Sequence, residues 1–203
     1  VFPPGFGGFW CGTADDGEGS LSMVLWGGDE EGGHVGWLNA AKRPEWIKHY
    51  LCLLEVASAS ASNGPGDQIE LKESWGNGVS YLTLRLTDVE NEAEWTRREG
   101  RQGVVDSEGT LIRTPFAQTS PPEWLDGEWQ GDWGGGGRGD YWGSFSLTLA
   151  SAQEPYVGNA TYAGTRGTYR TSLFLLEPPE GREGDVFLGE IFEERRADEL
   201  GWA

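Results

Sequence analysis

Apolar and polar positions alternate along most of this chain, and a period of two is the signature of strands with one buried face. Leu21, Met23 and Leu25 alternate with Ser22, Val24 and Trp26 until the Gly27-Gly28 pair stops the run. Ile69, Leu71 and Trp75 alternate with Gln68, Glu70, Lys72 and Ser74, and Gly76-Asn77-Gly78 then turns the chain into a second run from Val79 to Val89. Two runs about an Asn-Gly step predict a hairpin, because those residues accept the positive φ that a tight turn between twisted strands demands. Further strands are predicted over 110–116, 124–133, 141–150, 156–164, 168–176 and 186–192.

The run from Val79 to Val89 has two unlike faces. Leu82, Leu84 and Leu86 point to one side and Tyr81, Thr83, Arg85 and Thr87 to the other. The leucines belong to a dry core, and the opposite face is either solvated or the wall of a polar-lined cavity. One segment breaks the period: Trp46, Ile47, Tyr50, Leu51 and Leu54 recur at intervals of three and four after Pro44, which predicts a short helix over 44–54. The acidic tail from Glu193 to Leu200 is expected to add a helical turn or fray.

Many short antiparallel strands and one helix predict an all-β fold in a single domain over 1–203. The favoured architecture is one antiparallel β-barrel of about nine strands, because closure removes exposed edges. A two-sheet jelly roll with a concave groove is the alternative. The phrase Trp124-Leu125-Asp126-Gly127-Glu128-Trp129 resembles the Gly-x-Trp opening of lipocalin-like (calycin-type) small-molecule-binding barrels, in which the tryptophan packs across the barrel end. The resemblance implies a closed barrel around a ligand pocket.

Charge narrows the partners. Fifteen basic against thirty-three acidic side chains give a net charge of −18, which repels phosphate backbones and leaves few cations to displace their counterions, so nucleic acid is excluded. A cationic protein partner remains compatible. Self-repulsion of this size also predicts a melting temperature that rises as NaCl is raised from about 0.01 to 1 M, with a flat thermal-denaturation series as the contrary result. No apolar run approaches the roughly 18 residues of a membrane-crossing helix, so a soluble protein is expected, with the compartment left open. Cys11 and Cys52 are compatible with one disulfide or with two thiols.

Eleven tryptophans cannot all be surface platforms, and most are expected in the core. Trp129, Trp133 and Trp142 flank the glycine run 134–137 and are the aromatic candidates for a ligand wall, together with Tyr81. Arg85 and Arg170 share strand faces with threonine and serine, and could clamp a carboxylate if they point inward. Glu73 and Glu128 are candidate catalytic carboxylates, of the paired kind used in glycoside hydrolysis, and His34 beside Glu30 and Glu31 is a candidate proton-transfer group. Neither histidine stands in a metal-ligand spacing, so no metal and no cofactor is expected beyond a bound apolar or pigment-like ligand. The expected function is binding of a hydrophobic or conjugated small molecule, one bearing a carboxylate included, in an aromatic-lined barrel pocket. Lyase, cyclase or other isomerase-type turnover by confinement is an extension of it. The alternative is a glycan-active jelly-roll protein, either a hydrolase using two glutamates or a lectin.

Overall fold

A computed structural model describes residues 2–16, 19–26, 34–42, 50–60, 64–75, 78–118, 121–135, 141–153, 155–164 and 167–192. The chain divides into two compact units, Val1–Pro115 and Phe116–Ala203. The first contains β1 (Gly8–Ala14), β2 (Gly19–Leu25), β3 (His34–Lys42), β4 (Tyr50–Ser60), β5 (Gln68–Trp75), β6 (Gly78–Leu86), β7 (Glu92–Glu99) and β8 (Val105–Thr114). Each strand pairs antiparallel with the next, and β8 returns to β1 to close an eight-stranded barrel. The second unit holds β9 (Gly127–Gly135), β10 (Tyr141–Gln153), β11 (Tyr156–Gly164), β12 (Gly167–Leu176) and β13 (Phe187–Phe192) in an open antiparallel meander. Short 3-10 turns at Pro4–Phe6 and Glu123–Leu125 precede β1 and β9.

The barrel core follows from alternation. Leu21, Met23 and Leu25 of β2, Ile69 and Leu71 of β5, Leu82 and Leu84 of β6, and Ala93 and Trp95 of β7 are all buried in one cluster with Phe6, Trp10 and Leu111. Each large side chain buried this way contributes about 1.5–3 kcal/mol. In the second unit a smaller apolar cluster gathers Leu125, Leu149, Val157, Ala160, Leu173 and Leu175 on the sheet.

Several expectations are corrected. The all-β class and the antiparallel barrel stand, but the barrel occupies β1 to β8 alone, and residues from Gly127 onward form a separate sheet rather than further staves. That arrangement also replaces the jelly-roll alternative. Nine predicted strands become thirteen among the described residues, because β1, β3, β4 and β7 were not legible. The helix over 44–54 is overturned where the structure describes it: residues 50–54 open β4, while 43–49 lie outside the described residues. A short unbroken apolar run such as Tyr50-Leu51-Cys52-Leu53-Leu54 suits a strand and a buried helix equally, and pairing with β3 and β5 decides it. The acidic tail 193–200 lies outside the described residues. Cys11 is a free thiol exposed on the barrel, so it makes no bridge to Cys52. Among the described residues, no helix is long and apolar enough to cross a membrane.

Candidate functional site

One end of the barrel is sealed by its own N-terminal segment. The 3-10 turn Pro4–Phe6 lays Phe6 and the entry to β1 against Trp10, and all of Phe6 and Trp10 is buried. The Trp10 indole Nε1 donates to the Phe6 carbonyl at 2.9 Å, giving this polar tip the partner it needs out of water. Arg113, near the end of β8, stacks its guanidinium 5.8 Å from the Trp10 ring centroid. It also donates to the Gly5 carbonyl at 2.5 Å and, through Nε and Nη2, to Asn91 Oδ1 at 2.9 and 2.7 Å. First turn, first strand and last strand are thereby tied at one point. A surface hollow of about 520 Å³ lies alongside, lined in part by Trp10, Leu86, Asn91 and Arg113.

Polar groups enter the interior toward the other end. Glu73 on β5 shares the inward face of Ile69 and Leu71, and Arg97 on β7 that of Ala93 and Trp95. The Glu73 side chain has no exposed surface and that of Arg97 only 13%. Arg97 Nε and Nη2 both donate to one carboxylate oxygen, Glu73 Oε2, at 3.1 and 2.8 Å. The second oxygen, Oε1, is buried without a hydrogen-bond partner, and so is Trp95 Nε1. Burial pushes the Glu73 carboxyl above its ordinary 4.5, the Arg97 guanidinium works against that rise, and Asp106 adds to it. Ser80 stands directly opposite Glu73 in the ladder and is also buried. Gly109 allows the indole this position: a Cβ there would lie 2.9 Å from Trp95 Nε1 and 2.3 Å from the Thr13 carbonyl oxygen.

The structure distributes the sequence-derived candidates rather than gathering them. Tyr81 and Arg85 sit on the outer face of the barrel, since the leucine face of β6 is the interior one. Tyr81 pairs between Lys72 and Arg98, beside the outer ion pairs Lys72–Glu55 at 2.9 Å and Arg98–Glu70 at 2.5 Å, and Arg85 is exposed. Of the two readings of the Tyr81, Thr83 and Arg85 face, solvated surface or cavity wall, the outer position matches the first; in a barrel with an apolar core the leucines take the inside. Trp129 on β9 is 41% exposed, and Glu128 and Arg170 are exposed. Trp133 and Trp142 lie on β9 and β10 and His34 opens β3, with their side chains outside what is described. Tyr81, Arg85 and Glu73 belong to the first unit, and Trp129, Trp133, Trp142, Glu128 and Arg170 to the second. Of the candidate carboxylates only Glu73 is enclosed. Among the described residues, no group of three or more His, Cys, Asp or Glu side chains is placed to hold a metal ion.

Sequence reasoning missed Gly8-Phe9-Trp10, a Gly-x-Trp phrase at the first strand, while it read the later Gly127-Glu128-Trp129, which lies outside the barrel. The signal was present in the same three-residue form. Arg97 and Trp95 were missed because β7, with the sequence Glu-Ala-Glu-Trp-Thr-Arg-Arg-Glu, reads as a solvated charged stretch. The eight-stranded closed antiparallel barrel with its buried aromatic cluster is consistent with a lipocalin-like (calycin-type) fold. In comparisons with known proteins, no family model, no curated protein and no solved structure matches the chain.

Proposed function

We propose that the barrel binds a small hydrophobic or conjugated molecule in its interior, with a neutral polar group directed at Glu73 and Trp95. The single observation that carries this reading is the pair of buried polar atoms without partners, Glu73 Oε1 and Trp95 Nε1, inside a barrel whose core is largely apolar. A buried polar atom left unpaired costs about 1–3 kcal/mol, and such a cost persists where the group serves something other than folding. The carboxylate oxygen accepts and the indole N–H donates, so a hydroxyl or an amide matches what they offer. An eight-stranded interior is just wide enough for side chains to fill or for one small ligand to occupy, which bounds the ligand's size.

A ligand carboxylate fits this end poorly. Arg97 is already engaged by Glu73, whose own charge would repel a second carboxylate, and Arg85 and Arg170 are exposed. The reading therefore favours an alcohol over an acid of equal length. Isothermal titration with a panel of long-chain alcohols and the matching fatty acids tests it. The alcohols are expected to bind more tightly, and Trp95→Phe to weaken them about five- to tenfold, the worth of one hydrogen bond. Absence of saturable binding, or a Trp95→Phe variant that binds as the parent does, defeats the proposal. Recovery of the ligand unchanged after incubation distinguishes binding from lyase or cyclase turnover.

A further inference from the structure

The second unit repeats the first, strand for strand, through five strands. Ahead of its first strand each has a proline whose carbonyl accepts from the last residue of a 3-10 turn, Pro3 from Phe6 and Pro122 from Leu125. Each then enters its first strand at a glycine of positive φ, 140° at Gly8 and 127° at Gly127. The tryptophan two residues on donates its indole N–H to the end of that turn at 2.9 Å in both cases, Trp10 to Phe6 and Trp129 to Leu125.

Register carries the match across the sheet. Trp10 pairs with Met23 and Gly8 with Leu25, just as Trp129 pairs with Leu147 and Gly127 with Leu149. The third strands place Gly36 and Gly158 against the second, where a Cβ would lie 2.1 Å from the Val24 carbonyl oxygen and 2.0 Å from that of Thr148. Both third-to-fourth pairings are irregular at that glycine, between His34 and Gly36 and between Tyr156 and Gly158. The next ladder steps are Leu54 with Glu73 and Leu173 with Glu190, so even the inward glutamate recurs. Beyond that point the units differ. In the barrel, β6 to β8 follow, bring Arg97 to Glu73 and Arg113 to Trp10, and close onto β1. In the sheet, β9 and β13 are edges among the described residues. Glu190 accepts instead from the Tyr162 hydroxyl, and Trp129 is 41% exposed where Trp10 is wholly buried.

We infer that the sheet of the second unit is an incomplete barrel whose β9 and β13 edges dock a three-stranded antiparallel ribbon of a partner polypeptide, built like β6–β8. Such a ribbon pairs its last strand with β9 and sets an arginine over Trp129. Its middle strand carries a basic residue toward Glu190. The barrel itself states this chemistry, because it holds the same five strands with the ribbon in place. A second copy of the chain is a poor donor, since its own β6–β8 are committed to its own barrel.

The test adds a synthetic peptide of the sequence 78–114 to the full chain and follows amide hydrogen exchange. Protection of edge amides in β9 and β13 is expected to rise on the order of tenfold or more, with a blue shift of tryptophan emission that Trp129→Phe abolishes. A peptide carrying Arg113→Ala is expected to bind several-fold more weakly. Three results overturn the inference: no added protection in β9 and β13, edge amides already slow in the monomeric chain alone, or a dimer in sedimentation whose own β9 strands protect each other. These readouts lie in the second unit, so they neither depend on nor decide ligand binding in the barrel.

Discussion

Replacing Arg97 with methionine is expected to lower the stability of the barrel by about 3–5 kcal/mol, because it leaves the wholly buried Glu73 carboxylate without its cation. Against a typical total of about 5–15 kcal/mol, that loss is severe. The double variant Glu73→Leu with Arg97→Met is expected to recover most of it, since an apolar pair of similar volume avoids desolvating two charges. Urea denaturation of the parent and the variants checks both statements. A single variant within about 0.5 kcal/mol of the parent would show that Glu73 is not enclosed as described.

The same pair sets a pH dependence. Burial raises the Glu73 carboxyl in the folded state above its ordinary 4.5, so the folded protein holds this proton more tightly than the unfolded chain does. Its contribution is complete below the unfolded value and is lost as pH rises through the higher folded value. Removal of Arg97 takes away the main influence holding the carboxyl down, so the deficit of Arg97→Met is expected to shrink on acidification through that window. Glu73→Gln is expected to flatten this part of the profile. Denaturation midpoints between about pH 4 and 8 measure both slopes.

Truncation of Trp10 to alanine is expected to cost about 3–5 kcal/mol, while the equivalent change at Trp129 costs under about 1 kcal/mol. The two indoles make the same local hydrogen bond. They differ in what covers them: Trp10 lies under Arg113 and inside a closed barrel, whereas Trp129 is 41% exposed on a strand that is an edge among the described residues. Local sequence thus sets the anchor, and closure sets its worth. Equal losses at the two positions, measured by denaturation of the paired variants, would refute this account of the barrel end.

Much of the fold was legible because alternation with a period of two requires no knowledge of partners. β5 and β6 form the hairpin predicted between them, with Trp75 paired to Gly78, and β10 to β13 fall close to their alternating runs. Where alternation was masked, legibility failed. Gly-Phe-Trp-Cys-Gly in β1 has too few side chains to display a face, β4 opens with an unbroken apolar run, and β7 puts Ala93, Trp95 and Arg97 inside among charged neighbours. Of the candidate site, Glu73 was identified by its place in a strand pattern, but its partner was not, because ladder neighbours two strands away leave no spacing in the sequence.

By itself the sequence determined the class of the protein: an all-β chain of net charge −18, with leucine faces that must turn inward and turns punctuated by glycine. Those properties follow from local backbone preference and from summed charge, which neighbouring residues settle among themselves. Only the tertiary structure decided that eight strands close on themselves and five do not, that Arg97 rather than Arg85 reaches the interior, and that Trp10 rather than Trp129 seals a barrel. Closure joins β1 to β8 across about a hundred residues of chain, and the side of a strand that becomes the inside is fixed by which apolar face meets the others.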